Sequence, residues 1–249
     1  MSQVLETDEK KPFLSHLEEL RSRLIVSLIG VGIAFLFTYN FKEKIFEFLM
    51  RPYIKIMPEQ SHFIFTYVTE AFITYFKVSF VAAIFLASPL ILYEIWMFVA
   101  PGLYEHEKRF VYPFIIFGSI LFLIGALFSY YVVIPIVYRF FVSFAAEFIV
   151  PMPDLKAYVG LTLKFLILFG FVFELPLLAY YLGRAGVVRY ETLRKKRRVA
   201  ILGIFIVSAL LTPPDVMSQI LLALPLMGLF EISLQVIRLS QKKKEDGKT

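Results

Sequence analysis

The chain has 249 residues, 59% of them hydrophobic and only 18% charged, with a mean hydropathy of +0.73. Soluble domains carry about a quarter charged residues and just under half apolar ones, so this composition is that of a protein crossing a membrane several times. Zero cysteines exclude a disulfide framework, a thiolate metal site and a cysteine nucleophile, and the excess of Lys and Arg (26 against 20 acids) falls where membrane topology, not nucleic acid, would put it.

The first eleven residues, Met1 to Lys11, are polar and acidic, and the apolar run that follows lacks a small-x-small cleavage site, which predicts a retained N-terminus rather than a cleaved signal. From Pro12 onward Phe13, Leu14, Leu17, Leu20 and Leu24 recur at spacings near three and four, the pattern of an amphipathic helix. Ser15 and Glu18 fit a capping box, with Ser15 as N-cap. Glu19 has a local partner four residues on in Arg23, a pair worth about 0.3–0.5 kcal/mol.

Six apolar spans are predicted, over 24–39, 71–99, 110–133, 158–182, 199–211 and 216–237, followed by a polar tail over 239–249. Between the first two, Ile45-Phe46 and Phe48-Leu49 suggest a short interfacial helix ended by Arg51-Pro52. Ala100-Pro101-Gly102 breaks the second span, because proline lacks an N–H and glycine tolerates positive φ. Behind that break lies a carboxylate-rich loop, Glu105-His106-Glu107-Lys108-Arg109. The fourth span is preceded by Pro151-Met152-Pro153-Asp154, and the turn between the last two spans is Thr212-Pro213-Pro214-Asp215. The fifth span is short, about 20 Å of helix against a hydrocarbon core of about 30 Å. Spans five and six are therefore expected to form a short edge that thins the bilayer.

Lys and Arg set the orientation. Lys10, Lys11, Arg21 and Arg23 precede the first span, Lys108 and Arg109 follow the second, the run Arg194-Lys195-Lys196-Arg197-Arg198 precedes the fifth, and Lys242-Lys243-Lys244 follow the sixth. By the positive-inside rule both termini and the Glu105–Arg109 loop are cytoplasmic. Pro89, Pro113, Pro135, Pro176 and Pro225 lie inside spans and can kink them, which favours a curved, concave wall over a tight bundle. Glu174, in Phe173-Glu174-Leu175-Pro176, is the clearest ionisable residue within a span, and such residues face protein or a wet cavity. Two readings are open for it: a functional carboxylate, or a helix–helix hydrogen bond to Lys77 or Gln219. Lys77, Lys164 and Arg139 lie nearer span ends, where their stems snorkel.

No G-x-S-x-G, H-E-x-x-H or G-x-x-x-x-G-K-[ST] occurs, and His16, His62 and His106 are too scattered for a metal triad. No catalytic residue, metal or cofactor is predicted, and the chain is read as a non-enzyme.

Several motifs occur together: Ser15-His16-Leu17-Glu18-Glu19-Leu20-Arg21-Ser22-Arg23-Leu24, Ser88-Pro89-Leu90-Ile91-Leu92-Tyr93-Glu94-Ile95-Trp96-Met97-Phe98, Pro101-Gly102-Leu103-Tyr104-Glu105-His106-Glu107-Lys108-Arg109, Phe173-Glu174-Leu175-Pro176, Leu193-Arg194-Lys195-Lys196-Arg197 and Leu211-Thr212-Pro213-Pro214-Asp215-Val216-Met217-Ser218-Gln219. In this order and spacing they resemble the TatC family, the multi-spanning receptor of the twin-arginine protein translocase, over essentially the whole chain. The resemblance implies one membrane domain over 1–249, six kinked transmembrane helices in a glove-like wall, and a prokaryotic inner membrane. It implies recognition of twin-arginine signal peptides of folded proteins, single-span TatA- and TatB-type partners, a homo-oligomeric receptor complex and transport driven by the proton-motive force. Position by position, Glu19 and Glu107 match the carboxylates that recognise the arginine pair, with Phe98 and Arg21 on the same surface. Glu174 matches the intramembrane glutamate, Pro52 an outer-loop proline needed for activity, and Gln219 a polar position where partners dock. The chemistry agrees, since a carboxylate accepts the planar guanidinium fork bidentately whereas lysine offers a point charge. A proton-coupled transporter of a small solute using Glu174 is the alternative, although the paired repeats common in that class are not visible.

Overall fold

In hydrocarbon a backbone can satisfy its own N–H and C=O groups only by closing them into helices or a barrel, and a chain this apolar folds accordingly into helices. A computed structural model describes residues 6–57, 63–64, 67–99, 111–144 and 152–246. In chain order these form α1 (Glu6–Asn40), α2 (Lys42–Ile54), α3 (Glu70–Val99), α4 (Val111–Phe128), α5 (Ile134–Val142), α6 (Leu155–Phe173), α7 (Leu175–Ala185), α8 (Tyr190–Lys195), α9 (Arg197–Leu211) and α10 (Val216–Asp246). Five stretches are long and apolar enough to cross a membrane: Leu17–Asn40, Glu70–Phe98, Tyr112–Val142, Leu155–Arg184 and Val216–Gln241. The remaining expected span falls on α9, whose 15 residues make about 22 Å of helix. Five of the six expected spans therefore have the length to cross by themselves.

Several local expectations change. Helix α1 is already running at Glu6, so Ser15 lies within it and is not an N-cap. Helix α2 does not stop at Arg51-Pro52 but carries Pro52 inside it and ends at Ile54, with Lys55 N–H closing onto the Arg51 carbonyl. Helix α10 runs far past Ile237, so the short edge is α9 alone. The third span is longer than expected. It passes from α4 through one π-turn, Ser129–Val133, into α5. Pro135 accounts for the turn, because it has no N–H to give the Tyr131 carbonyl and the ladder must widen around the gap. Pro176 acts similarly on the fourth span, which breaks at Glu174 between α6 and α7. Helices α3 and α10, by contrast, continue through Pro89 and Pro225.

Two features hold the wall together. Gly125 of α4 lies so close to α6 that a Cβ there would stand 2.3 Å from the Phe169 carbonyl oxygen. At the end of the molecule formed by α2, α5 and the start of α6, the rings of Tyr53, Phe63, Tyr138 and Tyr158 cluster with centroids about 5 Å apart. Their hydroxyls are used: Tyr158 donates to the Leu49 carbonyl at 3.1 Å, and Tyr138 to the Tyr158 carbonyl at 3.2 Å. Buried Glu70, 4% exposed, accepts from the Lys156 backbone N–H at 3.1 Å, while Ile64 pairs through its backbone with Pro153 and Leu155. The starts of α3 and α6 are thereby fixed side by side.

Candidate functional site

The site grows from one guanidinium. Arg23, on the exposed early part of α1, donates to Glu19 Oε1 through Nη2 at 2.6 Å and through Nε at 3.0 Å. This is the i,i+4 pair that the spacing predicts. Its third contact is long-range: Nη1 donates to Glu94 Oε2 on α3 at 3.1 Å. Glu94 is only 8% exposed. Two carboxylates from two helices thus share one arginine, leaving a local net charge of −1.

Glu94 stands five residues before the end of α3, at the threshold of the carboxylate-rich loop. That threshold is held on both sides. Trp96 of α3 stacks on Phe114 of α4 at 4.3 Å, and Tyr181 of α7 meets both edge-on at 5.4 and 5.3 Å. Phe98 sits partly buried in the last turn of α3, and Arg21 is exposed on α1. Glu19, Arg21 and Phe98 therefore gather at one end of the molecule. Glu107, with Glu105 and His106, lies outside the described residues.

Glu174 lies deeper, at the α6–α7 break, 4% exposed. It meets neither Lys77 nor Gln219. Its carboxylate abuts Gly118 of α4, where a Cβ would stand 3.1 Å from Oε2 and 3.2 Å from Leu92 of α3. Neither oxygen meets a hydrogen-bond donor in good geometry among the described residues. A buried carboxylate without a well-aligned donor is costly in a bilayer. Gln219 instead donates to the Phe205 carbonyl at 3.0 Å, tying α10 to α9. Arg197 and Glu231 tie the same two helices at their other end, at 2.7 Å. Pro52, partly buried, lines a cleft of about 300 Å³ with Phe48, Tyr130, Pro135 and Arg139, at the end opposite Glu19. The predicted residues that are described thus fall into one cluster, one buried acid and two positions at the far end.

Glu94 is the residue the reading by motif passes over. A signal was present, because it is an acid inside an apolar span, the criterion that singled out Glu174. No group of three or more His, Cys, Asp and Glu side chains suited to a metal occurs among the described residues.

Comparison with known proteins gives a consistent result. The model of a family described as "Sec-independent protein translocase protein (TatC)" matches residues 15–225. The chain is 48% identical over 238 residues to the TatC protein of Desulforapulum autotrophicum, covering 96% of this chain and 88% of the relative. It is 40% identical over 228 residues to that of Escherichia coli K12, covering 92% and 88%. A solved structure described as "Crystal Structure of Twin Arginine Translocase Receptor- TatC" superposes with a TM-score of 0.83 at 37% identity, covering 90% of this chain and 99% of that one.

Proposed function

This chain belongs to the TatC family, and we propose that it receives twin-arginine signal peptides through Glu19 and Glu107 at the end of the molecule where α1 meets α3. As a family member it is a multi-pass protein of a bacterial inner membrane and a component of the Sec-independent protein translocase, and not an enzyme. The observation that carries the site assignment is Glu19 held, with Glu94, on a single guanidinium, Glu94 standing five residues before the end of the helix that leads in sequence to Glu107. A carboxylate already poised for one guanidinium has the geometry to accept another, and in this reading Glu107 is the second carboxylate that an adjacent arginine needs.

In this reading the Glu19 end faces the cytoplasm, as the Lys and Arg distribution suggests. The peptide's arginines dock on Glu19 and Glu107, flanked by Phe98 and Arg21, and its apolar part reaches along the helix wall toward Glu174. TatA- and TatB-type single-span subunits then assemble near Gln219 and α9, Pro52 shapes the outer face, several copies form the receptor complex, and the proton-motive force drives transport. Family membership does not favour the alternative of a small-solute transporter using Glu174.

The test is binding of a labelled twin-arginine peptide to the purified chain and to its Glu19→Lys and Glu107→Lys variants. Each variant is expected to lose at least about tenfold in affinity, or about 1.4 kcal/mol. The parent is expected to prefer twin arginine over twin lysine. Unchanged affinity in both variants, with unchanged discrimination, would overturn the assignment.

A further inference from the structure

At the end away from Glu19, an open groove of about 730 Å³ runs between α3, α5, the start of α6 and the α9–α10 turn. Lys77 of α3 and Lys156 and Lys164 of α6 line it together with the apolar side chains of Phe141, Leu161 and Leu210. All three lysines are exposed, and none forms an ion pair among the described residues. The one acid on the groove's lining, Asp154, is the N-cap of α6, its Oδ1 accepting from Ala157 N–H at 2.6 Å. Glu70, buried nearby, accepts from the backbone N–H groups of Lys156 and Tyr67.

The lysines are staggered in depth. Helices α3 and α6 start together, so Lys156 lies at the surface turn, Lys77 about 10 Å along α3 and Lys164 about 13 Å along α6. Ammonium groups at such depth extend their stems toward the headgroup level, where a phosphate meets them. Because the groove is part basic and part apolar, its complement is an amphiphile with an acidic head. A free anion would match only the charge.

We propose that this groove binds an anionic phospholipid, its headgroup phosphate between Lys77, Lys156 and Lys164 and an acyl chain against Phe141, Leu161 and Leu210. Lysine suits this role as a point charge for phosphate, and basic pockets between transmembrane helices are suited to acidic headgroups. The site is separate from the Glu19 end and does not depend on the reading of that end.

Native mass spectrometry of the full chain, equilibrated with phosphatidylglycerol and phosphatidylcholine in equal amounts, tests this. The parent is expected to retain phosphatidylglycerol with about tenfold preference, and the triple variant Lys77→Gln/Lys156→Gln/Lys164→Gln to lose that preference while binding twin-arginine peptide as the parent does. Where the triple variant fails to fold, Lys164→Met alone is expected to reduce the preference several-fold. Equal retention of the two lipids by the parent would overturn the proposal, as would undiminished preference in the variants. Displacement of phosphatidylglycerol by millimolar inorganic phosphate would also overturn it, identifying a free-anion site. Loss of lipid preference only when an acidic single-span peptide is added would support it, with the peptide as a competitor. An acidic single-span peptide binding there while the two lipids bind equally would overturn it in favour of a protein partner.

Discussion

Arg23 has three donors engaged by two acids, and the two contacts differ in kind. The bond to Glu19 is local and would form in almost any helix with this spacing, whereas the bond to Glu94 exists only because α1 and α3 pack together. Under the proposed recognition by Glu19, Glu94 therefore sets how firmly Arg23 leans on Glu19, and so how available Glu19 is to an incoming guanidinium. Glu94→Ala is expected to lower stability by about 1–2 kcal/mol, since it leaves a partly buried charge with one acceptor fewer. It is also expected to weaken twin-arginine peptide binding several-fold, because Arg23 then competes for Glu19 alone. Glu94→Gln, which keeps an acceptor, is expected to fall between the two in thermal melts and in peptide titration. Peptide affinity equal to the parent's in Glu94→Ala would separate Glu94 from the recognition surface.

At the scale of elements, contacts between helix backbones decide what the apolar pattern leaves open. Gly125 lets α4 lie against the Phe169 carbonyl, and the obstacle is backbone, which cannot swing aside as a side chain can. Gly125→Val is expected to cost about 1–3 kcal/mol, read as a fall of several degrees in the melting temperature of the purified chain. Gly228→Ala on α10, where a Cβ would meet nothing within 4 Å, is the matched control and is expected to melt near the parent. Glu70 does comparable work at the far end by accepting an N–H of the first turn of α6. Glu70→Ala is expected to cost about 1–2 kcal/mol and to speed amide hydrogen exchange at the start of α6.

For the molecule as a whole, the helices divide the proposed work between two ends about 30 Å apart along α1, from Glu19 to Asn40. Recognition is proposed at the first end, and partner docking near Gln219 at the second. Helix α9 is the odd element, at 15 residues beside the 31 of α10. It is clamped to that neighbour by Gln219–Phe205 at one end and Arg197–Glu231 at the other. Tilting would only shorten its span further, so the bilayer is expected to thin around it. Spin labels at Val199 and Leu210 should report a separation of about 17 Å across the local hydrocarbon, against about 30 Å for the lipid far from the protein. Full bilayer thickness at α9 would exclude thinning there.

Length and composition alone determine that this chain crosses a membrane, because nothing but closed backbone hydrogen bonding survives in hydrocarbon. The order of the apolar helices, the proline positions, Glu174 as an acid within a span and the Glu19–Arg23 pair were all legible, since each depends on residues near one another in sequence or on a single residue's hydration. The continuation of α2 through Pro52 and the full length of α10 were not, because tertiary packing there outweighs local propensity, and Pro135 signalled a kink without fixing that it would take the form of a π-turn. Only the tertiary structure could bring Glu94, 71 residues away, to Arg23, set Glu174 against Gly118 instead of Lys77 or Gln219, and gather three lysines from two helices around one groove. Those contacts join helices distant in sequence, and no periodicity within one helix encodes which neighbour its polar side chains will meet.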